Sequence, residues 1–390
     1  MIFYHLSALV LICIVLGLAA VRRCSLYSPL VINASIWLIV FLAGLFFENR
    51  FYPIQEKAFI AWLIWFMVTS LMFFLLYPYR AKYNWIGNEI RKIPIDYSLL
   101  LLVLIVWLGY RIWVVGSSGP EHFFLNLRLS SMNLEGIPSL GLILRFYPLV
   151  FTLFLFEEVY ACRENRHLRI LLWCFMILYA MAMMGKSSIL TPFFSWAIIQ
   201  GIKGRLKAKM IVILVLVVFA SMISLHVIRS STSYVFSTVD ILAIYIYSPL
   251  VALGYMNIDS SLPVGAYVFR FFYVIGNILD IASHPASTIT PYVAVPELTN
   301  VYTVMQPFYH DFGMLGVLLE AVIYGLFFSI LYFLSVKRGG FWLILFSGYS
   351  IVLVMQFFAD LLISRLSLNL QLLLYALIIF WTSRKVQYAR

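Results

Sequence analysis

The chain has 390 residues, of which 64% are hydrophobic and only 11% are charged, and its mean hydropathy is +0.98. Because roughly a quarter of the residues in soluble domains are charged, this composition excludes a soluble globular protein. The net charge of +11 is typical of a membrane protein with basic cytoplasmic loops, and it does not indicate a nucleic-acid partner.

Apolar runs long enough to cross a hydrocarbon core of ~30 Å recur along the whole chain. In lipid the backbone must satisfy its own hydrogen bonds, so these runs are expected to be helices. We predict an all-α polytopic membrane protein, a single integral membrane domain over residues 1–390, with about eleven spans. The predicted spans are residues 2–20, 30–47, 58–77, 97–115, 139–157, 169–184, 189–202, 210–228, 312–335, 341–358 and 366–382.

Two further apolar stretches, residues 241–256 and 264–281, would raise the count to about thirteen. Pro249 and Arg270 interrupt them, so we favour interfacial or re-entrant helices. The first span lacks a leading basic stretch and a small-residue cleavage site, and we expect a retained helix. The cysteines show neither metal-ligand spacing nor a pairing pattern, so no disulfide framework, metal or cofactor is expected. The cysteines are Cys13, Cys24, Cys162 and Cys174.

Most of the 27 lysines and arginines fall in connections of one parity, and basic residues mark the cytoplasmic side of a membrane protein. This rule places the amino terminus outside and the carboxyl terminus inside. The cytoplasmic connections are too short to hold a nucleotide-binding domain. The long connection, residues 229–310, is external, and we therefore expect the function to face outward.

Other cations lie in external loops or at the outer ends of helices. Arg111 and Arg145 are predicted to lie inside the fourth and fifth spans, where an arginine costs ~2.5 kcal/mol or more and usually lines a binding cavity. We therefore expect a site for an anionic substrate. The structural alternative is ion pairs with external carboxylates such as Glu121, Glu135, Asp280 and Asp360. The cations are Arg50, Lys57, Arg111, Arg128, Arg145, Lys186, Arg229, Arg270 and Arg365.

The turn Gly185–Ser188 joins two short predicted spans, each reaching only ~22–25 Å at 1.5 Å per residue. It is therefore expected in a recess below the outer surface. Thr191 or one of the two serines can cap the following helix, with Pro192 in its first turn. A helix amino terminus beside Lys186 predicts an anion site.

A second candidate region is the run Asn300–Gly316, which reads NVYTVMQPFYHDFGMLG. His310 and Asp311 stand where the external loop is expected to become helix, a place that favours a carboxylate. Tyr309 and the neighbouring phenylalanines supply aromatic surface of the kind on which sugars stack. The structural alternative is a helix cap within an interfacial aromatic belt. Structural roles are expected for His122, His226 and His284.

This layout, the long external loop and the run Asn300–Gly316 together resemble the Wzy-type O-antigen or oligosaccharide repeat-unit polymerases of bacteria. The layout matches over the whole length, whereas only the run matches at motif level. The architecture is similar to that of membrane-embedded lipid-linked sugar transferases, and the related O-antigen ligases share it. The resemblance implies work at the periplasmic face of the inner membrane. There a glycan on undecaprenyl diphosphate is joined to the next lipid-linked repeat unit, without metal or nucleotide.

With this family in view, we predict His310 as the general base, with Asp311 orienting it or acting in its place. Contacts to the diphosphate or glycan are expected from Arg111, Arg128, Arg145, Lys186, Arg229, Arg270, Arg365 and Tyr309. The expected partners are the lipid-linked oligosaccharide, membrane lipid and a chain-length regulator protein. Two alternatives remain open: a ligase that moves finished glycan to a lipid A core, and a lipid-linked oligosaccharide flippase.

Overall fold

The computed structural model describes residues 2–78, 90–132, 137–160, 166–206, 209–210, 216, 220, 223–224, 244–259, 261–287, 289–296 and 298–386. Within these residues the chain is mostly helical, and its strands are two or three residues long. Seven of the described helices are long and apolar enough to cross a membrane. The prediction of an all-α membrane protein is confirmed.

The described helices follow the predicted spans closely. The first eight are α1 (Ile2–Val21), α2 (Pro29–Phe47), α3 (Glu56–Leu75), α4 (Ser98–Ser118), α5 (Phe123–Ser131), α6 (Tyr147–Tyr160), α7 (Arg166–Met183) and α8 (Lys186–Ile202). The others are α9 (Ser248–Tyr255), α10 (Arg270–Ile278), α11 (Gln306–Arg338), α12 (Gly340–Val354) and α13 (Leu366–Thr382). Turns of 3-10 helix cover Glu48–Arg50, Gly141–Phe146 and Met355–Phe357. The predicted span 210–228 lies almost wholly outside the described residues.

Two pairs of short antiparallel strands accompany the helices. β1 (Ile90–Lys92) pairs with β4 (Arg384–Val386), and β2 (Val293–Ala294) pairs with β3 (Leu298–Thr299). The first pair joins the connection after α3 to the segment after α13. This contact between distant parts of the chain was not predicted.

The two interrupted apolar stretches form α9 and α10, which have 8 and 9 residues. At 1.5 Å per residue neither helix reaches across a core of ~30 Å. In α10 only Gly276 is buried, while Phe272 and Ile278 are exposed. These lengths fit the interfacial or re-entrant helices that the sequence favours.

The described chain divides into two compact units. The first unit consists of Met1–Ala81, Phe236–Phe333 and Val352–Asn369, and the second of Lys82–Val235, Leu334–Ile351 and Leu370–Arg390.

Aromatic side chains of α2 and α3 form much of the core of the first unit. Phe41 packs on Trp62 with ring centroids 4.4 Å apart. The indole N–H groups of Trp37 and Trp65 both donate to the side-chain oxygen of Gln356, at 3.2 and 3.0 Å. Buried polar groups need such partners, so Gln356 ties α2 and α3 to the 3-10 turn after α12.

In the second unit α6 is the central helix, since it is buried along nearly its whole length. Its end carries two buried glutamates. The Tyr97 hydroxyl donates to Glu157 at 2.7 Å, and the Gln200 amide donates to Glu158 at 2.9 Å. These hydrogen bonds offset the cost of burying the two carboxylates.

The start of α6 corrects one prediction. The fifth span was predicted from residue 139, but the helix begins at Tyr147, immediately before Pro148. Proline lacks an N–H and fits the first turn of a helix, so it fixes the start there. Arg145 therefore precedes the α-helix and lies, with its side chain exposed, in the 3-10 helix Gly141–Phe146 that leads into it, whereas the prediction placed it inside an α-helical span.

The start of α8 corrects a second prediction. The helix begins at Lys186, its N-cap is Gly185, and no side chain caps it. Thr191 instead donates to the carbonyl of Ser187 at 2.6 Å, and Pro192 lies in the second turn. The predicted cap and first-turn proline were wrong because the chain already reverses at Met184, whose φ is 45°.

Candidate functional site

His310 and Asp311 lie on a short helical segment at the start of α11, immediately before a break in that helix. The break is at Gly313, which has φ 60° and ψ −144°. Only glycine adopts this backbone conformation readily. A side chain on Gly316 would overlap the carbonyl group of Phe308, so a second glycine allows the two parts of α11 to approach. The predicted span 312–335 is therefore longer, and it is not continuous.

The carboxylate of Asp311 binds two parts of the chain at once. Its Oδ1 lies 3.0 Å from His310 Nδ1. Its Oδ2 accepts hydrogen bonds from the backbone N–H groups of Tyr267 and Val268, at 3.0 and 2.9 Å. The carboxylate thus fixes the His310 ring against the turn that precedes α10.

The other ring nitrogen of His310 defines the tautomer. The backbone N–H of Asp259 lies 3.2 Å from Nε2 and can only donate, so Nε2 accepts. In the neutral ring the proton is then on Nδ1 and is donated to Asp311. The Tyr267 ring packs edge-on at 4.6 Å and holds the imidazole in place. An imidazole with Nδ1–H on a carboxylate and a basic Nε2 is the arrangement used by general-base histidines.

Neighbouring charges shape this site. The hydroxyl and then the N–H of Ser261 donate to Asp259, at 2.6 and 2.9 Å, and lower the pKa of that carboxyl. Burial, and then the charges of Asp311 and Asp259, raise the pKa of Tyr267. Asp259 is therefore ionised and Tyr267 neutral at ordinary pH.

Arg270 is the first residue of α10, two residues beyond Val268. Its Nε donates to the carbonyl of Ala286 at 2.8 Å. The contacts of Asp311 with the preceding turn bring this arginine to the same part of the first unit as His310. Tyr309 is buried beside the pair, and Arg365 is exposed just before α13.

The remaining predicted cations belong to the second unit. Arg111 donates from Nε to the carbonyl of Leu140 at 3.2 Å and from Nη2 to that of Ser139. Arg128 lies in the last turn of α5, where a cation is favoured by the helix dipole. Among the described residues, no ion pair joins Arg111, Arg145 or Arg270 to a carboxylate, so the structural alternative is not seen for these three. Arg229 lies outside the described residues.

Lys186 is buried at the start of α8, with 7% of its surface exposed. Residues on both sides of it in the sequence, Met184 and Ile189, line an apolar cavity of about 410 Å³ in the second unit, although Lys186 itself is not among the lining residues. The lining includes Trp173, Met181, Met184 and Phe193. The start of α8 therefore carries a buried cation, and the flanking residues provide apolar space.

His122 has the structural role that the sequence favours, because its side chain accepts a hydrogen bond from the Leu125 N–H and caps α5. Sequence reasoning missed Glu320, which is wholly buried in α11. The signal was present, since this acid is isolated in a long apolar run, and ionisable groups in membrane helices are usually functional. In the described part of the chain, no group of three or more His, Cys, Asp or Glu residues could hold a metal ion.

Fold and site together define an all-α membrane protein with an oriented histidine–aspartate pair. Comparison of the chain with family models, with curated proteins and with solved structures gives no match.

Proposed function

We propose that this chain polymerises lipid-linked oligosaccharide repeat units, such as those of O-antigen, by glycosyl transfer from undecaprenyl diphosphate. The observation that carries the proposal is the His310–Asp311 pair, whose hydrogen bonds leave Nε2 as the basic nitrogen. This pair lies within the run that resembles the Wzy-type polymerases. The resemblance also suggests that the reaction is metal-independent and that a chain-length regulator is a partner.

The chemistry follows from the geometry of the pair. The acceptor sugar hydroxyl takes the place of the Asp259 N–H on His310 Nε2 and gives its proton to that nitrogen. The hydroxyl oxygen forms a bond to the anomeric carbon of the donor glycan, and the bond from that carbon to the diphosphate breaks. Asp311 stabilises the imidazolium that results.

The leaving group gains negative charge as the bond breaks, and fixed cations stabilise such charge. Arg270 is suited to this role in the first unit, since its Nε is anchored on the carbonyl of Ala286 and no ion pair with a carboxylate is seen for it among the described residues. Lys186, whose sequence neighbours Met184 and Ile189 line the apolar cavity, is suited to a lipid diphosphate in the second unit. Arg111, Arg128, Arg145, Arg229 and Arg365 are further candidates.

We place the protein in the bacterial inner membrane with about eleven spans, the amino terminus outside and the site at the periplasmic face. The pairing of β1 with β4 supports this layout, because it requires the connection after α3 and the segment after α13 to lie on one side. The basic residues assign both of these segments to the cytoplasm.

One observation favours the flippase as a second candidate. Transporters bind substrates at discontinuous membrane helices, and α11 is broken at Gly313. The buried acid Glu320 on the same helix is also of the kind found in ion-coupled transporters.

Deletion of the gene in its host, followed by analysis of the surface glycan, separates these candidates. Loss of a polymerase leaves a single repeat unit on the acceptor. Loss of a ligase leaves none on the acceptor, while long chains accumulate on undecaprenyl diphosphate. Loss of a flippase leaves repeat units unprocessed on the cytoplasmic side. Either of the last two results would overturn the proposed polymerase.

A further inference from the structure

Glu320 is a buried acid that the proposed reaction does not use. It lies in α11, two turns after the break at Gly313, and none of its surface is exposed. Neither carboxylate oxygen has a hydrogen-bond partner among the described residues. An isolated carboxylate in an apolar interior is among the least favourable groups that a protein can contain.

The other buried carboxylates show how unusual this is. In the described part of the chain, Glu157 accepts from Tyr97, Glu158 accepts from Gln200, and Asp360 accepts from five donors. Burial without a partner gains no hydrogen bond and costs stability. The hydrogen bonds of the described chain therefore give Glu320 no role in stabilising the fold.

The surroundings of Glu320 contain a second buried acid, Asp360. Tyr324 lies one turn further along α11, and its hydroxyl donates to Asp360. The backbone N–H groups of Leu362, Ile363 and Ser364 also donate to the carboxyl oxygens of Asp360. Among the described residues, Asp360 is the charged group that acts electrostatically on Glu320. A second negative charge beside it would be repelled in this low-dielectric interior.

We propose that Glu320 is a proton-binding site inside the membrane: the resting carboxyl holds a proton, and the working cycle removes and returns it. On release the O–H bond of Glu320 breaks, the proton passes to water, and Glu320 becomes a carboxylate. The return step reverses this. A proton is the ligand that fits, since a metal ion would need several further acidic or histidine ligands, and the described residues offer no such group.

Polar atoms without partners suggest a path for this exchange. The Gln356 amide nitrogen and the Thr303 hydroxyl are buried and have no hydrogen-bond partner among the described residues. Gln356 accepts from Trp65, whose ring packs on Tyr324 at 5.0 Å. Unsatisfied buried groups of this kind are where internal water binds. The Gln356 backbone carbonyl also accepts from the N–H of Val304 at 2.8 Å, which links this glutamine to the segment just before α11.

Infrared spectroscopy of the whole protein in liposomes tests proton binding directly. At neutral pH the wild type should show a carboxylic-acid C=O band that is absent from Glu320→Gln and that shifts in D₂O. An apolar carbodiimide, which dissolves in the bilayer and reacts with protonated carboxyls, should label Glu320 and lose this reaction as the pH rises. If the Glu320→Gln difference spectrum shows only loss of a carboxylate band, the proposal is wrong.

A second arm tests whether the proton is used. Glu320→Gln is permanently neutral and nearly isosteric, so it should reach the membrane and keep wild-type thermal stability while glycan chain formation is lost. Glu320→Asp, which can still bind a proton, should retain part of the activity. Full activity of Glu320→Gln at every pH would overturn a working role. This arm rests on the proposed function, whereas the infrared arm does not, so the two can fail separately.

Discussion

Asp311 lies just before the break at Gly313 and Glu320 lies two turns after it, so one helix carries two acids in opposite surroundings. Asp311 accepts two backbone hydrogen bonds and contacts His310, and the turn before α10 supplies these partners. Glu320 has no such partner in the described chain. The first acid is held in position by its partners, whereas no such partner positions the second.

This difference shows what each side of α11 can do. A carboxylate with several donors orients its neighbours, as Asp311 orients the imidazole of His310. A carboxyl without donors cannot orient anything, but its charge can change at little structural cost. We therefore propose a positioned base before the break and a proton-binding acid after it.

The largest expected effect is on the base itself. In the proposed mechanism, His310→Gln removes the nitrogen that takes the proton from the acceptor sugar hydroxyl. General-base catalysis raises reaction rates by about 10²–10⁴-fold. Glycan chains should therefore shrink to a single repeat while the protein stays in the membrane. The matched control is His284→Gln, since His284 is an exposed histidine in the same unit. Equal chain lengths in the two variants would remove His310 from the mechanism.

The next largest effect is expected from a substitution that opposes the backbone break of α11 at Gly313. Gly313→Ala meets no atom within 4 Å, so its cost is purely conformational, about 1–3 kcal/mol for a non-glycine residue in this backbone region. We expect a lower unfolding temperature in detergent and shorter glycan chains, because the pair before the break is displaced. Gly17→Ala in α1 also meets no atom and should be neutral or slightly stabilising. If the two variants behave alike, the break has no role.

A smaller effect is expected when each of the two acids, Asp311 and Glu320, is replaced by its amide. Asp311→Asn weakens hydrogen bonds to a charged acceptor, each worth about 1.5–3 kcal/mol, and should lower the unfolding temperature. Glu320→Gln loses no such bond and should leave stability unchanged or raise it. A larger loss in Glu320→Gln than in Asp311→Asn would show that Glu320 has partners and would reverse the comparison.

The smallest expected effect concerns the turn at Asp259 and Ser261, whose backbone N–H at Asp259 contacts His310. The pKa of Asp259 is lower in the folded protein than its ordinary value, so the ionised side chain stabilises the folded turn at every pH above that ordinary value. This stabilisation is lost as the pH falls through the lower pKa of the folded protein. Ser261→Ala removes the hydroxyl that contributes most to the lowered pKa of Asp259. The pH below which activity is lost should therefore move upward. Ser283→Ala, at an exposed serine in the same unit, should not move it. Identical acid limits would contradict the role of Ser261.

Much of the fold was predictable because a bilayer imposes simple rules. Apolar runs of span length became helices within a few residues of their predicted ends, as in α1, α2 and α13. Helix starts were less predictable where backbone geometry decides, so the positive φ at Met184 moved the start of α8 and Pro148 moved that of α6.

The site was predictable only in part. The sequence singled out His310 and Asp311 because an aromatic-rich run frames them, but their partners Asp259 and Tyr267 lie more than forty residues away and carry no local signal. Glu320 belongs to no motif, and its burial without hydrogen-bond partners in the described chain depends on tertiary packing that the local sequence does not show. Whether the predicted cations of the second unit join the same site stays a prediction.

The most direct test of the central claim is a reconstituted reaction. Purified protein in liposomes is given lipid-linked single repeat units, and the product length and released undecaprenyl diphosphate are measured together. The account predicts chains of several repeats from the wild type and from His284→Gln, and only unextended units from His310→Gln. Unextended units from the wild type, or equal chains from His310→Gln, would contradict it.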